Sequence, residues 1–113
     1  MRGRQVLLET LINHGVDRIF GNPGTTESPL LDSLPDYPQL DYIVHLHEDV
    51  ATGAANFYAQ ASGKTAFVNL HVAPGLGNAI GMIYGWIVDP GQAAWANWAI
   101  YSSAAAAGIT GST

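Results

Sequence analysis

The chain has 113 residues, 48% hydrophobic and only 12% charged, no cysteine, and a formal net charge of -5 from four Lys plus Arg against nine Asp plus Glu. That length allows one domain at most, with apolar material enough for a core and no basic stripe to neutralise a nucleic-acid backbone. The lack of Cys removes disulfides, thiolate catalysis and Cys-ligated metal, and fits a reducing, cytoplasmic compartment.

The basic start Met1-Arg2-Gly3-Arg4 leads into a segment interrupted by Glu9, so no secretory signal is predicted. Val6, Leu7, Leu8, Leu11 and Ile12 follow helical spacing and stop at Gly15, a helix C-cap. Arg18-Ile19-Phe20 reads as a buried strand ended by Gly21-Asn22-Pro23-Gly24, and Thr25 or Thr26 can cap a helix through Leu30, Leu31 and Leu34. The order repeats, with a strand over 40–46, an Ala-rich helix over 48–61, a strand over 65–70, a loop from His71 to Gly75 and an apolar helix over 77–87. Strands alternating with helices predict an α/β fold, an open parallel sheet with helices on both faces. Ligands of such sheets sit beyond the carboxyl ends of the strands, here at Gly21 to Thr26, His47 to Asp49 and His71 to Asn78.

Composition changes near Trp86. All four Lys and Arg and eight of nine Asp and Glu precede it, whereas the three Trp stand at 86, 95 and 98. The uncharged stretch from Pro90 is mostly Ala, broken by Asn97, Ser102, Ser103 and Gly108, and no membrane span is predicted from it. We divide the chain into 1–85 and a divergent Ala/Trp/Ser-rich tail, 86–113, whose lack of period predicts loose packing.

The strand-end loops are chemically suggestive. Gly75-Leu76-Gly77-Asn78-Ala79-Ile80-Gly81 misses a dinucleotide fingerprint by one position, and Gly21 to Thr26 lacks the Lys of a phosphate-binding loop. Glu48, at a strand-to-helix junction, is either a solvated first-turn acid or a catalytic carboxylate kept ionised by the helix N-terminus. Asp49 reads as the ordinary first-turn acid. His45 and His47 share a strand face, but no further ligands stand at metal-binding spacing, and no metal site is predicted. His71 ends a strand at the ligand edge, as a proton-transfer group or a hydrogen-bonding loop residue.

Taken together, Phe20-Gly21-Asn22-Pro23-Gly24-Thr25-Thr26-Glu27, His47-Glu48 and Asn69-Leu70-His71-Val72-Ala73-Pro74-Gly75-Leu76-Gly77-Asn78 occur in the order and spacing of one family. Over about residues 4–85 the chain resembles the N-terminal, pyrimidine-binding domain of thiamine diphosphate-dependent enzymes, most of all their benzoylformate decarboxylase branch. The resemblance implies that Glu48 hydrogen-bonds a pyrimidine ring nitrogen and activates the cofactor, that His71 moves protons, and that Thr25 contacts the carboxylate of a 2-oxo acid. Pro23 and Gly24 would bring backbone close to the cofactor, and Asn78 would lie near the pyrimidine. It further implies a diphosphate and magnesium site in another domain, absent from these residues, and a homo-oligomer or a partner chain that carries it. After Gly85 the family pattern stops, as it would in a truncated or frame-shifted product. The alternatives are a small subunit of a split decarboxylase, an acetolactate synthase-like enzyme, and a non-enzymatic α/β binding module.

Overall fold

The computed structural model describes residues 2–88 and 98–102, and side chains up to Tyr84. Helix α1 (Gly3–Asn13) ends where predicted. Gly15 takes a left-handed φ of 78°, and the Gly15 and Val16 amides bond back to Ile12 and Leu11. Strand β1 (Arg18–Gly21) follows. The predicted helix beyond Thr25 is broken into a 3-10 turn (Thr25–Glu27), a short α2 (Ser28–Leu31) and a second 3-10 turn (Leu34–Asp36). Pro29 and Pro35 lack the amide that a continuous helix would need, and Ser33 Oγ donates to the Pro29 carbonyl at 3.0 Å.

Strand β2 (Asp41–Val44) is shorter than expected and exposed at the sheet edge, whereas β3 (Ala66–Leu70) is buried along its whole length. Between them runs α3 (Glu48–Ser62), capped by the His47 side chain, which accepts from the Asp49 amide at 3.1 Å. The expected loop after β3 is a correction: only His71 separates β3 from α4 (Val72–Val88). The Gly75 amide closes that helix's first turn on the His71 carbonyl. Helix α4 runs across the composition change at residue 86.

Residues 98–102 also depart from the expectation of loose packing. They form β4 (Trp98–Ser102), parallel to β3 with Val68 opposite Ile100. The physical reason is that β3, buried on both faces, needs partners along both edges for its backbone groups, and Trp-Ala-Ile-Tyr-Ser is rich in residues that suit a pleated strand. The expectations for 89–97 and 103–113 lie outside the described residues.

The sheet order is β2-β1-β3-β4, parallel throughout. Strand period 2 divides the core between its faces. Ile19 and Phe67 join Leu8, Leu11, Val16, Leu30 and Leu40 on one side, while Phe20, Val68 and Leu70 join Ala51, Ala55 and Ala79 on the other. Helices therefore cover both faces, and the Ala51, Ala55 and Ala59 ridge lets α3 lie close to the sheet. Among the described residues no helix is long and apolar enough to cross a membrane.

Candidate active site

The chain leaves β1 to build β2 on one side and later β3 on the other, so the exits of β1 and β3 diverge and open a crevice at the carboxyl edge. Two groups of side chains stand at that edge. In the first, Glu27 Oε2 lies 2.7 Å from His71 Nδ1 and accepts from the Gly24 amide at 2.8 Å. Glu27 is buried, and its Oε1 has no partner. The contact joins the turn after β1 to the exit of β3. The ring of His71 occupies the space where Gly24 lacks a side chain: a Cβ there would lie 2.3 Å from Cε1 and 2.5 Å from Nε2. Val72, immediately after His71, has a φ of 48°. A β-branched residue in the left-handed region is strained by about 1–3 kcal/mol, and such strain persists only where the surroundings over-determine it.

In the second group, Glu48 on the first turn of α3 is only 5% exposed. Its Oε2 accepts from Asn78 Nδ2 of α4 at 3.1 Å. Gly75 makes the approach possible, since a Cβ there would stand 3.2 Å from Glu48 Oε1. A buried carboxylate at a helix N-terminus is favoured by the helix dipole, which offsets part of its desolvation. Neighbouring Asp49 accepts from the Met82 amide at 3.1 Å, a second tie between α3 and α4. The two groups share no hydrogen bond.

Behind them is a polar pair, Asn69 buried and Tyr42 half-buried. Asn69 Nδ2 donates to the Tyr42 hydroxyl at 2.8 Å, and Gly21 leaves room for it, because a Cβ there would meet the Tyr42 oxygen at 2.3 Å. Burial pushes the Tyr42 phenol up from 10.0 to about 12, with the Asn69 hydrogen bond opposing and the Glu27 charge reinforcing the rise.

Of the residues singled out from sequence, His71 and Gly24 meet in the first group and Glu48 and Asn78 in the second. Thr25 is exposed on the 3-10 turn beside the first group, and Pro23 is half-buried before it. Glu48 is thus not the solvated acid weighed above. His45 and His47 are committed elsewhere: His45 Nδ1 bonds the Ile43 carbonyl at 3.0 Å and His47 caps α3. Among the described residues no three His, Asp or Glu side chains converge. Sequence reasoning gave Glu27 no role. The available signal was its place three residues after Gly24 at a helix start, where a Glu side chain reaches back to the capping amide. Gly75 and Val72 carried no comparable signal.

Known proteins are similar to this chain in sequence and fold. Residues 1–89 match the family described as thiamine pyrophosphate enzyme, N-terminal TPP binding domain. The chain is 47% identical over 75 residues to benzoylformate decarboxylase of Pseudomonas aeruginosa, covering 66% of this chain and 14% of that protein. It is 40% identical over 78 residues to the acetolactate synthase large subunit of Lactococcus lactis, covering 69% and 14% respectively. The solved structure of the thiamine diphosphate-dependent 4-hydroxybenzoylformate decarboxylase of Rhodococcus jostii superposes with a TM-score of 0.75 at 31% identity, over 88% of this chain and 18% of that one. The chain thus spans less than a fifth of the length of these proteins. Matched over residues 1–89 and similar in fold, the chain belongs to the thiamine pyrophosphate enzymes, as their N-terminal TPP-binding domain.

Proposed function

We propose that this chain is the pyrimidine-binding part of a decarboxylase acting on 2-oxo acids of the benzoylformate type. The observation that carries the reading is the buried Glu48 carboxylate, held on one oxygen by Asn78 at the carboxyl edge of the sheet. These residues fit the ring half of thiamine diphosphate: Asn78 bonds Glu48 Oε2, so that Oε1 is the oxygen left to share a proton with a ring nitrogen, while Asn78 and Gly75 fix the carboxylate's orientation. They do not fit the diphosphate half. Lys64 is 2.8 Å from Asp17, and Arg18 is 3.4 Å from Asp41, both at the opposite edge of the sheet. We therefore assign the diphosphate and its magnesium to another domain or chain.

When bound, the cofactor supplies the electron sink for loss of carbon dioxide. The chain's own contribution is positional and protic. Glu48 holds a proton at Oε1 against the pyrimidine, His71 Nε2 gives or takes a proton at the reacting carbon, and the exposed Thr25 hydroxyl hydrogen-bonds the substrate carboxylate. Large apolar side chains left uncovered, Leu46 at 96% and Phe57 and Tyr84 at 64% exposure, support an assembly with a second chain.

A second reading, an acetolactate-forming enzyme, is favoured by the Lactococcus relative. The pairing of the buried Glu27 with the half-buried His71 supports the decarboxylase instead, because it equips the site for proton transfer. The test is to supply benzoylformate, thiamine diphosphate and magnesium to the purified chain, with and without a chain carrying the family's diphosphate-binding domain. We expect aldehyde release only in the second mixture. Acetolactate formed from pyruvate in place of aldehyde would favour the second reading, and no turnover in any mixture would defeat both.

A further inference from the structure

Glu27 is the most buried carboxyl of the site, its side chain 1% exposed, and the family reading gives it no task. Its Oε2 receives two contacts, from the Gly24 amide at 2.8 Å and from His71 Nδ1 at 2.7 Å. The amide can only donate, so Oε2 is already aligned as an acceptor, and the second short contact is satisfied when His71 carries its proton on Nδ1. Proton placement on an imidazole is set by the partner of its other nitrogen. Among the described residues the ring's hydrogen bond is made at Nδ1 and none at Nε2, and the ring lies over Gly24, where a Cβ would stand 2.5 Å from Nε2.

We propose that Glu27 is a positioning residue that fixes the Nδ1–H tautomer of His71, leaving Nε2 as the working atom of the ring. The assignment holds for either charge state of the pair, since neutral imidazole and imidazolium both donate from Nδ1. Free histidine prefers Nε2–H in water, so the contact reverses the intrinsic choice. The functional consequence rests on the decarboxylase reading. A neutral His71 meets the substrate as an acceptor, taking a proton onto the Nε2 lone pair. The imidazolium so formed is paired with Glu27 and returns the same proton from Nε2, with no net change in the side chains. Without Glu27 the neutral ring would present Nε2–H and could not accept there.

The test reads the tautomer in the 113-residue chain, without cofactor or substrate, by long-range proton–nitrogen correlation NMR of isotope-labelled histidine above the ring's titration. The His71 signals are identified by their loss in His71→Gln. We expect a protonated Nδ1 and an unprotonated Nε2 in the native chain. The pattern should persist in Glu27→Gln, whose side-chain oxygen still accepts, and be lost in Glu27→Ala. An Nε2–H ring in the native chain, or an unchanged pattern in folded Glu27→Ala, overturns the proposal. If Glu27→Ala fails to fold, the native and Glu27→Gln spectra decide, and Nε2–H in either is sufficient to reject it. Failure of the tautomer assignment leaves the decarboxylase reading standing, and failure of turnover leaves the tautomer result standing.

Discussion

The imidazole of His71 rests on Gly24 so closely that the glycine's missing Cβ would fall inside its contact shell, 2.3 Å from Cε1. Gly24 has an extended backbone, φ -117° and ψ -163°, so alanine is excluded there by the ring and not by the main chain. Gly24→Ala should therefore expel the imidazole and lose the Glu27 contact, with an overpacking cost of about 1–3 kcal/mol in urea denaturation. His71→Ala should cost less in the Gly24→Ala background than alone, because it removes the clash. Additive losses in the double-mutant cycle would contradict that geometry.

Asn78 is expected to matter for stability as well as for the site. Asn78→Ala leaves Glu48 Oε2 buried without its donor, at a cost of about 1–3 kcal/mol. In the mixture proposed above to release aldehyde, Glu48→Gln keeps the shape and removes the acid. Turnover should fall by about a hundredfold to ten-thousandfold while the unfolding midpoint moves little. Steady-state kinetics and thermal melts of both variants check the pair of statements.

Val72 offers an unusual opportunity, since replacing a residue in a helix by glycine normally costs stability. Here the native φ is 48°, and relief of about 1–3 kcal/mol of strain exceeds the roughly 0.5–1 kcal/mol entropic penalty of glycine. Val72→Gly should raise the melting temperature and speed amide exchange at His71. A clear loss of stability would mean that the half-buried valine side chain contributes more than the strain removes.

Tyr42 makes stability fall at high pH. Its phenol, raised from 10.0 to about 12 in the folded chain, binds its proton more tightly there than in the unfolded chain. Its contribution is complete below the unfolded value of 10.0 and is lost as pH rises towards about 12. Urea midpoints measured across that window should decline in the native chain, and the decline should be smaller in Tyr42→Phe. The phenolate absorbance lost in Tyr42→Phe should come in above the unfolded value of 10.0, or only on unfolding.

The alternation of strands and helices was legible because each element follows its own period, and Glu48 and His71 were legible because both stand where a strand ends. The approach of Glu27 to His71 spans 44 residues, and that of Asn78 to Glu48 spans 30. Neither distance is encoded locally, since each depends on strand order, and β2-β1-β3-β4 is one of several orders the same alternation permits. Strand β4 was missed because the Ala-rich surroundings of Trp98 to Ser102 hide a five-residue strand that only the bare edge of β3 calls for. The leucine period at 30, 31 and 34 suggests one helix after Gly24, and Pro29 and Pro35 break it into short turns.

Because β4 is parallel to β3, its pairing partner is made 28 residues after β3 is complete, Leu70 to Trp98, with all of α4 in between. On a ribosome, one edge of a strand buried along its whole length in the finished fold must wait, unpaired, through the synthesis of that crossover. A hairpin would have supplied the missing edge within a few residues. The nascent chain therefore passes through a stage with an open β edge beside exposed apolar helix faces, the kind of surface that holdase chaperones bind and that joins neighbouring chains when synthesis outruns folding.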